Sequence, residues 1–457
     1  MNRVAAVVTA LAISGCASVN PRPAFEDVDQ AVRERTGHSV RWARSVAETD
    51  ALEEAVREML REELTVDEAV RIALVNNRAL QASFEEIGVS QADLVQAGLL
   101  SNPELTGFFR FPHGPASGSN VEVGIAKDFF DFLVLPLRKK LAAVQLEETK
   151  LLVGNEVLGV VADVKTAFYT LQARQQLVKR LRLILEVNEA SATLARQQNA
   201  AGNMNELDLL QNQAVYKQSR VDVAQAEVQV RSDREKLNRL LGLWGPDTDW
   251  RVADELPPIP ETEIQVERLE AVAMEQRLDV GAARWGVDLV GRALAVKKKT
   301  RYFPAGIHIG VETEKDSDRH RVTGPNFALE LPLFDTGRAS IARLESQLFQ
   351  SQRQLEALAI NARSEVREAR DLMLATRDLT EYYGKVLLPE RVRILDLTLR
   401  QYNMMLKGAY DLLAAKQSEV ATERAYVEAW RDYWLSRTEL ERALGGKLPA
   451  HREGANP

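Results

Sequence analysis

The sequence predicts a mainly α-helical protein with a small membrane β part, built as a duplicated unit of strand hairpin and long helix. Three observations predict it. Short motifs recur at an offset near 200 residues, each half holds a helical stretch of more than 60 residues, and each half holds paired alternating stretches behind an export signal. Composition agrees with this. Of 457 residues, 45% are hydrophobic, 27% charged and 6% aromatic, which suits a helix-rich chain with a long solvated surface. The net charge of −7 argues against a nucleic-acid partner.

Residues 1–15 read as a signal peptide: Arg3, the apolar run "VAAVVTALAI", then Ser14-Gly15 directly before Cys16. The run is too short to span a bilayer. Cys16 is the single cysteine, so it forms no internal disulfide. "AISGC" resembles the bacterial lipobox, which implies acylation (palmitate) at Cys16, and Ala17 after it implies the outer membrane. An ordinary signal peptide with an incidental cysteine is the alternative. Residues 16–64 are then a lipid-anchored N-terminal segment.

The remaining chain repeats itself. Asp208-Leu209-Leu210 recurs as Asp411-Leu412-Leu413, and "LLG" at 240–242 as "ALG" at 443–445, both at an offset of 203. "LPL" at 135–137 recurs at 331–333, and Pro103 as Pro304. Two repeats follow, 65–242 and 268–445. The Pro-rich stretch 243–267 between them has no helical period and reads as a linker or equatorial insert, and 446–457 is a tail.

Each repeat has one internal order. A helix (67–101; 268–301) leads to a β-hairpin (103–132; 304–333), a very long helix (138–200; 338–406), a tip turn (201–205; 407–410) and a last helix (206–242; 411–444). The long helices step by four and three residues through Val157, Val161, Val164, Phe168, Leu171, Gln175, Val178, Arg182 and Leu185, and through Ile341, Leu344, Leu348, Ser351, Leu355, Leu358 and Ala362. That spacing fits a coiled-coil seam or a bundle core. Their length, roughly 100 Å at about 1.5 Å per residue, exceeds what a compact domain uses. Gly202 and Gly408 read as left-handed turn residues, and Asp208 and Asp411 as acids at helix openings.

In the hairpins Leu105, Phe109, Val121, Val123, Ile307 and Ile309 fall on one face. Arg110, Glu122, His308 and Glu330 fall on the other, among small residues. Strands of this kind suit a membrane barrel, lipid outside and water inside, with these four residues in the lumen. A half-buried strand of a soluble sheet gives the same alternation. Behind an export signal, four strands are too few to close a barrel and an open edge is not tolerated in lipid, so several chains share one.

From about 65 to 445 the chain resembles the TolC-like outer-membrane efflux proteins. The carrying segments are the duplicated order, "LELPLFDTGRASIA" at 329–342, the Gly-to-Asp-Leu turns, and "ALGG" at 443–446. The resemblance implies a homotrimer with a 12-stranded β-barrel in the outer membrane, continuous with a 12-helix periplasmic α-barrel. It implies an exit duct fed by an inner-membrane pump through a periplasmic adaptor. It assigns the periplasmic tip, where the aperture closes and the adaptor docks, to Gly202, Asn205, Leu207, Asp208, Gly408, Tyr410, Asp411 and Leu412. Three departures are visible, one being that the first-half junction "FLVLPLRKK" at 132–140 lacks the Asp-x-Gly-Arg of the second half. Asn77-Arg78 and Arg277-Leu278 stand where the family often has a proline, and the second tip turn is three residues shorter than the first, counted from Gly408 and Gly202 to the following Asp.

Catalysis is not expected. The five histidines are scattered without metal-ligand spacing and no phosphate loop or Ser-His-Asp order stands out, so neither cofactor nor metal is expected. Met404-Met405 read as packing at a helix end. The rival reading is a lipid-anchored periplasmic coiled-coil scaffold without channel activity, which would have no need of the hairpins.

Overall fold

A computed structural model describes residues 18–111, 119–260, 268–302, 306–315, 320–331 and 333–448. Cys16 and the C-terminal tail from 449 lie outside them. The chain forms two compact units. One is made of Met1–Val28, Phe84–Val153 and Asp279–Leu358, the other of Asp29–Ser83, Gly154–Leu278 and Ala359–Pro457. Among the described residues no helix is long and apolar enough to cross a membrane.

The N-terminal segment holds two helices, α1 (Arg22–Thr36) and α2 (Val46–Met59), and a short strand β1 (Glu63–Leu64). The first repeat opens with α3 (Val66–Asn76). Thr65 Oγ1 accepts from the Glu68 amide at 3.2 Å and Glu68 accepts from the Thr65 amide at 2.9 Å, a reciprocal cap. Then follow α4 (Arg78–Ala97), β2 (Glu104–Arg110), β3 (Asn120–Asp128), α5 (Phe130–Ala200) and α6 (Glu206–Leu241). After β4 (Arg251–Val252) the second repeat gives α7 (Leu269–Gln276), α8 (Leu278–Thr300), β5 (Ile307–Lys315) and β6 (Arg321–Leu329). Its helices α9 (Arg338–Tyr382), a π turn (Tyr383–Leu387), α10 (Leu388–Asn403) and α11 (Ala409–Leu444) complete it.

The leading helices, expected to be continuous over 67–101 and 268–301, are each broken once. Asn77 and Arg277 adopt extended backbone, ψ 114° and 122°. No proline does this. The break is held by long-range bonds: Asn76 Nδ2 donates to the Leu241 and Gly242 carbonyls at 2.9 Å, and Asn77 Nδ2 to that of Leu240 at 2.9 Å. These satisfy carbonyls that α6 leaves open at its C-terminus. In the other half Arg277 Nη1 bonds Glu365 at 2.6 Å and the Ala443 carbonyl at 3.3 Å.

The long helices differ from expectation too. The first begins at Phe130, eight residues before 138, with Pro136 inside it. The second is interrupted by the π turn, which seats Gly384 under the Tyr426 ring, where a Cβ would come within 3.1 Å, and precedes Pro389, which has no amide to donate. The expected seams are otherwise inward: all positions from Ile341 to Ala362 are buried or half-buried. In α5 the stripe runs from Val157 to Val178 and then takes Leu181, because Arg182 turns outward to Glu227 at 2.7 Å.

The stretch 243–267, read as a linker, is anchored over its described part. Trp250 is fully buried, its indole donates to Asn238 at 2.8 Å and Arg234 stacks over it at 4.4 Å. Trp430 and Trp434 both donate to the Pro257 carbonyl at 2.9 Å. β4 pairs in parallel with β1. The core of this unit lies around Val366, Met373, Tyr433, Leu440 and Leu444.

The four hairpin strands form one antiparallel sheet, ordered β2-β3-β5-β6. The central pairing joins the two repeats, with Val121 opposite Lys315 and Asp128 opposite His308.

Candidate functional site

The candidate residues fall in two places: the turns at the ends of the long helices, and the two faces of the sheet.

The turns are copies of each other at the offset of 203. In the first, the amides of Ala201, Gly202 and Asn203 donate to the carbonyls of Gln197, Asn199 and Gln198 at 3.1, 2.9 and 2.8 Å. In the second, Met404, Met405 and Leu406 donate to Arg400, Tyr402 and Gln401 at 3.1, 2.9 and 2.9 Å. Both are left-handed helix stops. The left-handed residue is Gly202 (φ +73°) in one and Met405 (φ +59°) in the other.

Three expectations are corrected here. Gly408 is not the left-handed residue; its φ of −82° and ψ of 165° are extended, and it is the N-cap of α11, as Asn205 is of α6. Nor is the second turn shorter. Its expected shortness came from pairing Gly408 with Gly202, whereas the hydrogen bonds pair Gly202 with Met405 and Asn205 with Gly408. Met404 and Met405 are also not packed: they are 69% and 93% exposed, with Leu406 at 72%.

Asp208 and Asp411 hold the equivalent third position of their helices. The Asp208 amide donates to Asn205 Oδ1 at 2.9 Å, and Asn205 Nδ2 donates to the Asp208 carboxylate at 2.8 Å. The Gly408 amide donates to the Asp411 carboxylate at 3.0 Å. Both acids therefore serve helix openings, where negative charge also complements the dipole. Leu207 is exposed and Leu412 half-buried.

A left-handed methionine costs about 1–2 kcal/mol relative to glycine. Met405→Gly is expected to raise the unfolding free energy of the tip hairpin by about 1 kcal/mol, and Gly202→Ala to lower it by a similar amount, since nothing lies within 4 Å of an added Cβ there. Thermal melts of the two variants at one scan rate check the opposite signs.

The second hairpin is tied to the first. Tyr410 Oη donates to Gln198 Oε1 at 3.0 Å. Partial burial, and then the charge of Asp208, push its phenol above the ordinary range. Deeper along the helices, Gln417 donates to Asn188 Oδ1, Asn188 donates to Ser219 Oγ, and Ser219 donates to the Val215 carbonyl at 3.0 Å. Asn188 and Ser219 are 3% and 5% exposed. Arg180 and Glu423 add an ion pair at 3.3 Å. The seam spacing could have flagged Asn188, a polar residue at an inward position; its partners were not legible.

In the sheet, Arg110, Glu122 and His308 share one face, because each alternates with the apolar positions and the register sets Arg110 opposite Asn120 and His308 opposite Asp128. Glu330 continues that alternation one residue beyond β6. Arg110 pairs with Glu122 at 3.0 Å, Asn120 donates to Glu314 at 2.6 Å, and Asn326 donates to Glu312 at 3.2 Å. Glu104, Glu122, Asp128, Glu312 and Glu314 make this face acidic against Arg110. The opposite face exposes Leu105, Phe109, Ile125, Ile309, Val311 and Phe327.

The outer membrane efflux protein family model matches residues 69–243. The chain is 20% identical over 388 residues to the cobalt-zinc-cadmium resistance protein CzcC of Cupriavidus metallidurans, covering 84% of this chain and 90% of that one. The fold is shared with the crystal structure of CusC (TM-score 0.69, 18% identity, 84% of this chain and 93% of that one). It is also shared with the Campylobacter jejuni CmeC outer membrane channel (TM-score 0.71, 15% identity, 83% and 85%). The duplicated strand, long-helix and tip-turn order runs through both repeats, and the match to the outer membrane efflux protein family covers the first of them.

Proposed function

We propose that the chain is the outer-membrane exit duct of a tripartite efflux system, passing cargo delivered by an inner-membrane pump through a periplasmic adaptor. The observation that carries this is the sheet: its apolar face is exposed, and β2 and β6 each have a free edge among the described residues. Lipid tolerates no free edge. Three copies, three times four strands, close a barrel of twelve, which is the homotrimer the family pattern implies. In that barrel the face with Arg110, Glu122, His308 and Glu330 lines the lumen. The tip residues Leu207, Met404, Met405 and Leu406 then meet neighbouring copies or the adaptor, and Cys16 carries the acyl anchor.

A cationic cargo is the reading the charges favour. Six carboxylates, Glu330 with the five of the strands, stand against one arginine on the lumen face; repeated three times, they concentrate cations and resist anions. The relative named for cobalt, zinc and cadmium resistance is consistent with it.

The protein in detergent is expected to be a trimer of about 150 kDa by native mass spectrometry, from chains of 51.1 kDa. In planar bilayers it should conduct with cation preference, weakened in Glu122→Gln/Glu312→Gln/Glu314→Gln. A monodisperse monomer overturns the duct, and unchanged selectivity in the triple variant overturns the cationic lumen.

A further inference from the structure

On the apolar face of the sheet, among the described residues, cations stand only at the two ends. At the turn end Lys315 and Arg321 lie directly opposite each other in register, and at the helix end Lys127 lies opposite Ile309. Between them the face is Val121, Val123 and Ile125 on β3, with Ile309 and Val311 beside them.

Beyond Lys127 the chain builds an aromatic and basic rim. Phe129 and Phe132 are 57% and 50% exposed, their rings 5.7 Å apart, and Lys127 Nζ sits 5.8 Å from the Phe132 ring. Phe132 therefore continues the outward face into α5. Steps of three and four along a helix keep one face: Pro136 lies four residues after Phe132, and Lys139 and Lys140 lie three and four after Pro136, flanking the same stripe. Lys139 and Lys140 are exposed, and among the described residues neither has an ion-pair partner. The nearby acid is already engaged, since Asp131 holds Arg138 at 2.9 Å and accepts from the Ser101 amide at 2.8 Å.

The second repeat adds to the rim. Phe334 is fully exposed, and Arg301 stacks over Tyr302 at 4.5 Å with its Nε buried and without a hydrogen-bond acceptor. Lys127 Nζ also donates to the Ser101 carbonyl, which leaves Lys139 and Lys140 as the first repeat's rim cations without an ion pair among the described residues; with the exposed aromatic rings at the edge of a lipid-facing surface, they match a phosphate at headgroup depth with acyl chains running along the sheet.

We propose that this strand-to-helix rim is a binding surface for anionic glycerophospholipid in the periplasmic leaflet, with Lys139 and Lys140 taking the headgroup phosphate and Phe129 and Phe132 the glycerol and upper acyl region. It rests on the barrel reading above. Charge complementarity and continuity with the apolar face select this occupant.

The test is native mass spectrometry of the full-length protein released from nanodiscs of phosphatidylglycerol or phosphatidylcholine. Wild type is expected to retain phosphatidylglycerol in preference to phosphatidylcholine. Lys139→Gln/Lys140→Gln should reduce that retention roughly tenfold, with trimer mass and bilayer conductance unchanged. Lys315→Gln/Arg321→Gln, at the other end of the face, should retain phosphatidylglycerol like wild type. Equal retention of both lipids by wild type, or full retention by the Lys139/Lys140 variant, overturns the proposal. A wild type that conducts as a trimer but shows no preference overturns the lipid site alone; one that neither trimerises nor conducts overturns the barrel reading with it.

Discussion

Gly242→Ala is expected to lower the stability of the folded chain by about 2–5 kcal/mol, more than alanine at any other glycine of the first repeat's turns. Gly242 ends α6 in the left-handed conformation, φ +69°, and an added Cβ would meet the Asn76 carbonyl oxygen at 2.4 Å. The conformation alone costs about 1–2 kcal/mol for an L residue. The overlap adds about 1–3 kcal/mol, because the obstacle is backbone at the helix break and cannot swing aside. Moving it would also strain the Asn76 and Asn77 amide bonds to the end of α6. Gly245 separates the two contributions. It is also left-handed, φ +60°, but has nothing within 4 Å, so Gly245→Ala should lose only the conformational part. Gly445 repeats the arrangement in the other half, its Cβ position 2.9 Å from Arg277 Cα. Apparent melting temperatures at one scan rate should therefore rank wild type above Gly245→Ala, and Gly245→Ala above Gly242→Ala and Gly445→Ala. Equal losses at Gly242 and Gly245 would mean that the helix break yields freely.

That same repeat shows how far the sequence could be read. Motifs at the offset of 203 locate both helix stops: Gly242 and Gly445 bond back to Arg239 and Arg442 at 3.3 and 3.0 Å. The alternation of the strands also sorted their two faces by residue type. The second tip was misread because glycine was taken as the marker of left-handed backbone. Met405 occupies that conformation against its propensity, and only the offset, applied to Gly202, points to it. The breaks at Asn77 and Arg277 were invisible because tertiary bonds impose them on stretches with good helical period. The π turn was hidden in the same way, within a seam whose spacing runs smoothly up to it. Partners across the repeats, such as Gln417 for Asn188, need the fold before they can be named.

Asn188→Ala is expected to have the larger effect on gating. Its side chain is the middle link of a buried chain of donors running from Gln417 on α11, through Ser219 on α6, to the Val215 carbonyl. Removing the middle link leaves the Gln417 amide without its acceptor and Ser219 without its donor. Each buried group so stranded costs about 1–3 kcal/mol, whereas Tyr410→Phe, near the solvated tip, removes one bond of about 0.5–1.5 kcal/mol. Both changes loosen the hold of the second hairpin on the first without altering the sheet. If that hold keeps the tip narrow, single-channel conductance should rise modestly in Tyr410→Phe and several-fold in Asn188→Ala, with the trimer intact by native mass spectrometry. The double variant reports coupling, and a sum of effects larger than the double-variant effect is expected for bonds that resist the same motion. A fall in melting temperature with conductance unchanged in Asn188→Ala would assign the polar layer to helix register alone and leave the aperture to residues of the turns themselves.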